Sequence, residues 1–216
     1  FIFSSPVSGE IVEIKRGEKR AINEIVILAD KTQQYKTFDK PNIATVSREE
    51  LVKSLASSGL MTLFLQRPFN ILPHLDIVPR DIFISTFDTA PLAPDLGYAL
   101  KGQEIAFQAG CETLSKLTSG KVYLGLDGNG DSDVASIFTG VTGVEKYYFR
   151  GKHPIGNVGV QIHHIKPISP EDKVWTINVQ DVAIIGKFML EGIVDQTRML
   201  AITGAELKNT GYAKVP

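Results

Sequence analysis

The sequence predicts an α/β fold with a parallel sheet at its centre. Three strand-like apolar runs alternate with two helical patterns, in the order 81–88, about 101–118, 121–126, 131–138 and 144–149. A strand that is followed by a helix and then by another strand normally returns in the same direction, so this order favours a parallel sheet with right-handed connections. We therefore expect a core at 81–193 that is Rossmann-like in the broad sense.

Residues 1–30, which precede this core, are predicted to form short strands. Ser5-Pro6 and two glycines interrupt an alternating apolar pattern, as turns between strands do. Pro6, Gly9 and Ile11 resemble half of a lipoyl/biotinyl-like domain. Such a domain carries a modified lysine at a hairpin tip, and no such lysine is evident here. We therefore predict a partial lipoyl-like β-sandwich with a structural role.

Residues 31–80 are predicted to form a helical connection. Ser47 and Glu50 have the spacing of a capping box, in which each residue satisfies a backbone N–H of the other at the start of a helix. Apolar residues recur at helical spacing as far as Leu65. We expect helical structure to last until Pro68 ends it.

The last segment, 194–216, is predicted to form a β-hairpin with the strands RMLAIT and YAKV and a turn at about 204–211. The chain starts at Phe1 without an initiator methionine, and it stops at Pro216 within a strand pattern. We therefore expect it to be a fragment of a longer protein.

The composition limits the classes of function. The sequence is 43% hydrophobic and 22% charged, with a net charge of −1, which is ordinary for a globular protein. This near-neutral charge argues against nucleic acid as a partner, because phosphate binding needs a concentrated basic face. The single cysteine, Cys111, excludes an internal disulfide and a four-cysteine iron–sulfur site within this chain. No apolar run approaches the roughly 18–20 residues that cross a bilayer.

The segment GLDGNGDSD at 125–133 has the alternating oxygen ligands of a calcium loop. It departs from the EF-hand pattern at Ser132, where glycine is required, and at Phe138, where glutamate is required. Its position between a strand and a helix also suits a phosphate loop, but three aspartates would repel a phosphate and G-x-G-x-x-G is not matched. We interpret it as a solvated loop.

Three histidines, His153, His163 and His164, suggest a metal site. Adjacent residues in a helix point about 100° apart, so His163 and His164 cannot both bind one ion without distortion. No cysteine or paired carboxylate completes a ligand set. We interpret the histidines as packing and hydrogen-bonding residues and Cys111 as a small core residue. No catalytic or metal-binding residue is predicted in this chain.

Several specific motifs follow one another along the chain, and the densest group lies at 151–192. It comprises His153-Pro154-Ile155-Gly156, Gly159, His163, Val174-Trp175, Asn178 and Gln180-Asp181-Val182. Upstream and downstream stand SPVSGEIVEIKRGEKR, SGLMTLFLQRPFN, FDTAPLAPD, LTSGKVYL and EGIVDQTRMLAITG. Together these motifs resemble the A subunit of the bacterial Na⁺-translocating NADH:quinone reductase over nearly the whole chain. The departures are Ile155 in place of the usual alanine, His164, and an acidic loop at 127–133.

The resemblance implies a peripheral subunit on the cytoplasmic face of the bacterial inner membrane. The complex would oxidise NADH, reduce ubiquinone and export Na⁺. The family is similar in fold to the flavin-binding subunit of complex I, and the resemblance makes 194–216 the start of a β-grasp domain. This sequence lacks the glycine-rich loop and cluster cysteines of those flavin-binding relatives. We therefore expect no cofactor on this chain, FMN, FAD, riboflavin and iron–sulfur on other subunits, and the membrane-embedded B subunit as the main partner.

A quinone site needs apolar walls and one or two donors to the quinone carbonyls. Such groups are offered by Arg67, Pro68, Phe69, His153 and His163, and we predict the quinone vicinity there. An ordered core connection explains the same residues at least as well. Two other functions stay open: a stand-alone flavin- or nucleotide-binding oxidoreductase, which a flavin absorbance band would reveal, and a purely structural assembly subunit.

Overall fold

A computed structural model describes residues 2–129 and 135–215 of the chain. The strands are β1 Gly9–Arg16, β2 Ile22–Ala29, β3 Leu65–Arg67, β4 Ile82–Ser85, β5 Val122–Asp127, β6 Glu145–Phe149, β7 Val174–Thr176, β8 Arg198–Ile202 and β9 Gly211–Val215. The helices are α1 Arg48–Ser57, α2 Leu96–Ala99, α3 Glu104–Ser115, α4 Ser136–Thr139, α5 Val158–Ile165 and α6 Val179–Glu191. Two 3₁₀ turns lie at Glu18–Arg20 and Leu60–Leu63.

The central sheet has the strand order β3-β7-β4-β5-β6. Strands β4, β5, β6 and β7 run parallel, and β3 is antiparallel to β7 at one edge. The parallel pairing of β4, β5 and β6 confirms the strand–helix–strand prediction for this part of the chain. The protein is therefore a mixed α/β protein.

Alternating residues of the strands divide the core between the two faces of the sheet. Ile82 and Ile84 of β4 join the larger apolar cluster, which also contains the buried side of α1, α3 and α6. Phe83, between them in sequence, points the other way and packs with Ile162 of α5 and with Val174. Helices thus cover both faces, and α5 has one face largely to itself.

Helices α3 and α6 pack through glycines that let their backbones approach closely. A Cβ atom on Gly186 would overlap the carbonyl oxygen of Ala106, and one on Gly110 would overlap the carbonyl oxygen of Val182. Neither backbone could yield without moving a helix. These two glycines therefore set the separation of the helix pair.

Helix α1 begins as predicted, because Ser47 and Glu50 make both hydrogen bonds of the capping box. The prediction that helical structure continues through Leu65 is wrong. After Gly59, which has a left-handed φ of 83°, a short 3₁₀ turn leads into strand β3. This strand pairs with β7, so tertiary pairing overrides the local helical spacing.

Two further boundaries differ from the sequence prediction. The helix expected at about 101–118 is α3, Glu104–Ser115, preceded by the separate short helix α2. Of the helix expected at 131–138, the structure describes α4, Ser136–Thr139, and residues 131–134 lie outside the described residues. Strand β7 was not predicted, because three residues are too few to show a period.

The two terminal segments form antiparallel hairpins, β1–β2 and β8–β9, where short strands were predicted for 1–30 and a hairpin for 194–216. The first hairpin exposes apolar side chains, among them Ile11, Ile25 and Leu28. The second hairpin contacts the core through an ion pair between Arg198 and Asp181. None of the helices in the described residues is long and apolar enough to cross a membrane.

Candidate functional site

A cleft of about 420 Å³ opens at the carboxyl ends of β4 and β7. From β4 the chain continues to β5 and β6 on one side, and it then returns to pair β7 with the other side of β4. Ligands of open α/β sheets bind in the crevice at such a reversal of strand order, outside the carboxyl ends of the strands. We call this crevice the switch-point cleft; its lining includes Arg67, Ser85, Asp88, His153, Asn157, Asn178 and Asp181.

One wall of the cleft consists of two loops that are fastened together. The Thr89 hydroxyl lies 3.2 Å from Nδ1 of His153 and accepts a hydrogen bond from the Gly156 amide at 3.1 Å. Ser85 Oγ donates to the Gly156 carbonyl at 2.9 Å. The buried amide of Gln161 donates to Ser85 Oγ at 2.9 Å. The motif around His153 and Gly156 therefore has a structural role, which is to hold its loop against the end of β4.

Two helices begin at the cleft. Asn157 caps α5 by accepting a hydrogen bond from the Gly159 amide at 2.8 Å, and Asn178 caps α6 by accepting one from the Gln180 amide at 2.9 Å. The first amides of a helix have no acceptor within the helix, and the helix dipole places partial positive charge there. Both helix starts therefore contribute positive potential to the cleft.

Arg67 supplies a full positive charge at the same place. It pairs across the sheet with Val174, whose side chain packs against α5, so the Arg67 side chain lies on the α5 face. Its Nε atom is buried and has no hydrogen-bond acceptor among the described residues. A buried donor without an acceptor costs about 1–3 kcal/mol, and in this cleft both Arg67 Nε and Asp181 Oδ1 are buried without a hydrogen bond among the described residues.

Two carboxylates also line the cleft. Asp181, in the first turn of α6, is 8% exposed, and its burial raises the pKa of the carboxyl while the neighbouring Arg198 opposes that shift. The two side chains form an ion pair. Asp88 is exposed at the rim, and its carboxylate accepts a hydrogen bond from the Ala90 amide at 2.9 Å. Asp88 therefore has a hydrogen-bond partner, whereas Asp181 Oδ1 has its ion pair with Arg198 but no hydrogen bond among the described residues.

The residues predicted for the quinone vicinity separate into two groups. Arg67 and His153 line the switch-point cleft together. Phe69 is 74% exposed and is not part of the cleft lining. His163 lies on an exposed side of α5, with its ring 5.7 Å from that of His164. The sequence did not identify Ser85, although a polar residue at the end of an apolar strand is a usable signal.

The structure provides no support for a metal site, a reactive cysteine or a calcium loop within the described residues. No group of three His, Cys, Asp or Glu residues suited to a metal ion occurs within residues 2–129 and 135–215. Burial raises the pKa of the Cys111 thiol to about 12, so it is protonated at neutral pH. In the acidic loop, Asp127 accepts from the Asn129 amide and Asn129 bonds to the Gly151 backbone. The remainder of that loop, 130–134, lies outside the described residues.

The chain is a mixed α/β protein with a cleft at the reversal of its strand order, which is the place where ligands of open α/β sheets bind. Two family descriptions match this chain: "NqrA second alpha/beta domain" over residues 46–194 and "NqrA N-terminal barrel-sandwich hybrid domain" over residues 1–30. The first match alone covers well over half of the chain. The chain belongs to the NqrA family.

Curated relatives agree with this assignment. The chain is 37% identical over 208 residues to the A subunit of the Na(+)-translocating NADH-quinone reductase of Saccharophagus degradans, covering 95% of this chain and 45% of the relative. It is 35% identical over 210 residues to the same subunit of Actinobacillus pleuropneumoniae and 33% identical over 210 residues to that of Vibrio atlanticus, in each case covering 96% of this chain and 46% of the relative. The chain thus spans a little under half the length of these relatives.

Proposed function

We propose that this chain is part of the A subunit of a Na⁺-translocating NADH:quinone reductase, the complex that oxidises NADH, reduces ubiquinone and exports Na⁺. The observation that supports the proposal most strongly is the 37% identity to a protein of that name, which extends over 95% of the chain. The comparisons favour this function over a stand-alone flavin- or nucleotide-binding oxidoreductase.

The finer parts of the proposal concern where the subunit sits and what it carries. The subunit is peripheral, lies at the cytoplasmic face of the bacterial inner membrane and docks on the membrane-embedded B subunit. It carries no cofactor, and FMN, FAD, riboflavin and iron–sulfur belong to other subunits. Its core at 81–193 is Rossmann-like and similar to the flavin subunit of complex I. The segments 1–30, 31–80 and 194–216 are a partial lipoyl-like sandwich, a connection and the start of a β-grasp domain.

The switch-point cleft is the proposed place of quinone contact. Its volume of about 420 Å³ falls within the roughly 300–1,000 Å³ that is usual for small-molecule sites. Leu65, Phe87 and Val158 contribute apolar wall, and Arg67 and His153 contribute donors for a quinone carbonyl. Phe69 and His163 were predicted with these donors and lie outside the cleft, so they serve as comparison positions.

The test uses the whole purified complex reconstituted in lipid vesicles. His153→Gln is expected to raise the KM for ubiquinone several-fold while NADH oxidation with an artificial electron acceptor is unchanged. His163→Gln, which removes the same ring from an exposed position outside the cleft, is the matched control and is expected to leave the quinone KM unchanged. A photoreactive ubiquinone analogue should label the segments that contain Arg67 and His153. Equal kinetics for the two variants, or labelling confined to other segments, would exclude this quinone position.

A further inference from the structure

We propose that Thr89 is a positioning residue for His153. Its hydroxyl donates a proton to Nδ1 of the imidazole, so the neutral ring carries its own proton on Nε2, which becomes a hydrogen-bond donor to a ligand in the switch-point cleft. The proton assignment rests on the contacts of this chain. The identity of the ligand rests on the proposed function, in which a quinone carbonyl is bound there.

The Thr89 hydroxyl has one proton to donate and two lone pairs that accept. The Gly156 amide, which can only donate, occupies one of those lone pairs at 3.1 Å. Nδ1 of His153, at 3.2 Å, is the other hydrogen-bond partner of Oγ1 among the described residues. The acceptor that the chain offers to the hydroxyl proton is therefore Nδ1.

This contact selects one of the two tautomers of the His153 ring. A neutral imidazole has a single N–H, and the hydrogen bond made by one nitrogen decides which nitrogen carries the proton. A proton on Nδ1 would leave the Thr89 hydroxyl proton without an acceptor among the described residues. A proton on Nε2 satisfies both groups, and the hydrogen bonds then run in one direction from Gly156 through Thr89 to His153, so that each strengthens the next.

The loops that carry the two residues are held by their own hydrogen bonds. Two overlapping turns, 152–155 and 154–157, are closed by backbone bonds of 3.1 Å and 2.8 Å. On the other loop, the Asp88 carboxylate accepts from a backbone amide at 2.9 Å. The exposed ring of His153 hydrogen-bonds to no described residue other than Thr89. The Thr89 hydroxyl therefore determines how the ring is oriented on a fixed backbone.

The selected tautomer matches the requirement of a quinone carbonyl. A carbonyl oxygen accepts hydrogen bonds and cannot donate them, so it needs an N–H on the ring nitrogen that faces it. His153 lines the cleft, and with Nδ1 occupied by Thr89 its remaining polar atom is Nε2. Thr89 itself is not part of the cleft lining, so it acts through His153.

The experiment measures the ¹⁵N chemical shifts of the histidine rings in the purified protein, at a pH at which imidazole is neutral. The chain has four histidines, and the spectrum of His153→Gln identifies the signals of His153. We expect its Nδ1 to have the shift of an unprotonated nitrogen, far from that of Nε2. Thr89→Val keeps the shape of the side chain and removes the hydroxyl, so the two shifts should move towards each other as the ring exchanges between tautomers. Thr89→Ser should restore the separation.

Ser85→Ala is the matched control for a loosened loop. It removes a different hydroxyl, which donates to the Gly156 carbonyl at 2.9 Å and makes no hydrogen bond to His153. We expect the His153 shifts to stay as in the parent protein. Equal shifts in the parent and Thr89→Val, or equal changes in Thr89→Val and Ser85→Ala, would overturn the proposal. If Thr89→Val fails to fold, the parent spectrum still decides, because a protonated Nδ1 would contradict the assignment.

Kinetics of the whole complex separate this proposal from the quinone position. Thr89→Val is expected to raise the KM for ubiquinone several-fold, and to add little in the His153→Gln background. If Thr89→Val changes the His153 shifts but neither it nor His153→Gln changes the quinone KM, Thr89 positions the ring and the quinone position fails. If His153→Gln raises the quinone KM and Thr89→Val leaves the shifts unchanged, the quinone position stands and the role of Thr89 fails.

Discussion

Gly156 lies where two loops of the cleft wall come so close together that there is no room for a side chain. A Cβ atom at this residue would stand 2.7 Å from the Thr89 amide nitrogen and 2.9 Å from the Asp88 Cα, both of them backbone atoms. Gly156→Ala would therefore force the two loops apart. We expect a loss of about 1–3 kcal/mol in the free energy of unfolding, the usual cost of overpacking, measured by urea denaturation.

Gly211→Ala is the matched control for that substitution. A Cβ atom on Gly211, the first residue of β9, would meet no atom within 4 Å. We expect its free energy of unfolding to stay within about 0.5 kcal/mol of the parent value. Equal losses in the two alanine variants would show that the contact between the loops does not constrain Gly156.

At the scale of residues, the sequence identified part of the candidate site. His153 and Arg67 stood out by composition and motif, and both line the cleft. Phe69 follows closely after Arg67 but is exposed, because the chain has left the sheet by then. The sequence shows the type of each side chain, but it does not show that Arg67 of β3 lies near the loop that contains His153. That proximity depends on how β3 pairs within the sheet. That pairing is a tertiary property.

At the scale of elements, long apolar runs were predictable and three-residue strands were not. The runs that became β4 and β5 are nearly continuous in apolar residues, as expected for strands buried on both faces. Strands β3 and β7 have three residues each, and their pairing replaces the helix that local spacing favoured at Leu65. Three residues are too few to show a strand pattern in the sequence. Such a strand can be recognised only from its pairing with the neighbouring strand.

The end of α6 is joined to the start of β8 by Asp195, and this connection predicts a pH dependence. Partial burial opposes ionisation of Asp195, but hydrogen bonds from Lys187 Nζ at 2.7 Å and from Thr197 outweigh it and lower the carboxyl pKa to about 2. A carboxyl whose pKa is lower in the folded state stabilises the fold above its unfolded pKa, near 4. That contribution is lost as the pH falls through the folded value.

Asp195→Asn should therefore cost about 1 kcal/mol at pH 7, a figure reduced for solvent screening of this partly exposed pair. The cost relative to the parent protein should shrink as the pH falls from about 4 towards about 2, as followed by denaturant titration at each pH. Glu191→Gln is the control, since Glu191 approaches Lys187 only to 3.9 Å. A cost that is constant over this pH range would contradict the assigned pKa.

At the scale of the whole molecule, the second hairpin is held against the core by polar contacts that meet at α6. The side-chain amide of Gln180 makes two hydrogen bonds with the backbone of β8. It accepts from the Met199 amide at 2.8 Å and donates to the Met199 carbonyl at 3.0 Å. Beside it, Arg198 pairs with the buried Asp181. On the other strand, the Tyr212 hydroxyl accepts from the Asp95 amide at 2.8 Å.

The ion pair is the contact whose loss should undock the hairpin. Arg198→Met leaves the Asp181 carboxylate buried without a partner, which is costlier than losing the attraction alone. We expect a loss of about 2 kcal/mol, below the usual range for buried pairs because the Arg198 side chain is 30% exposed. Hydrogen exchange at the Met199 amide should accelerate in this variant.

The double variant Asp181→Asn with Arg198→Met separates the buried charge from the docking contact. It removes the uncompensated carboxylate, so it should recover most of the stability that the single variant loses. Recovery would show that the uncompensated Asp181 carboxylate, and not the lost contact, causes most of the destabilisation. If Met199 stays fully protected in Arg198→Met, the Gln180 and Tyr212 contacts suffice to dock the hairpin. The ion pair would then serve only to compensate the buried charge of Asp181.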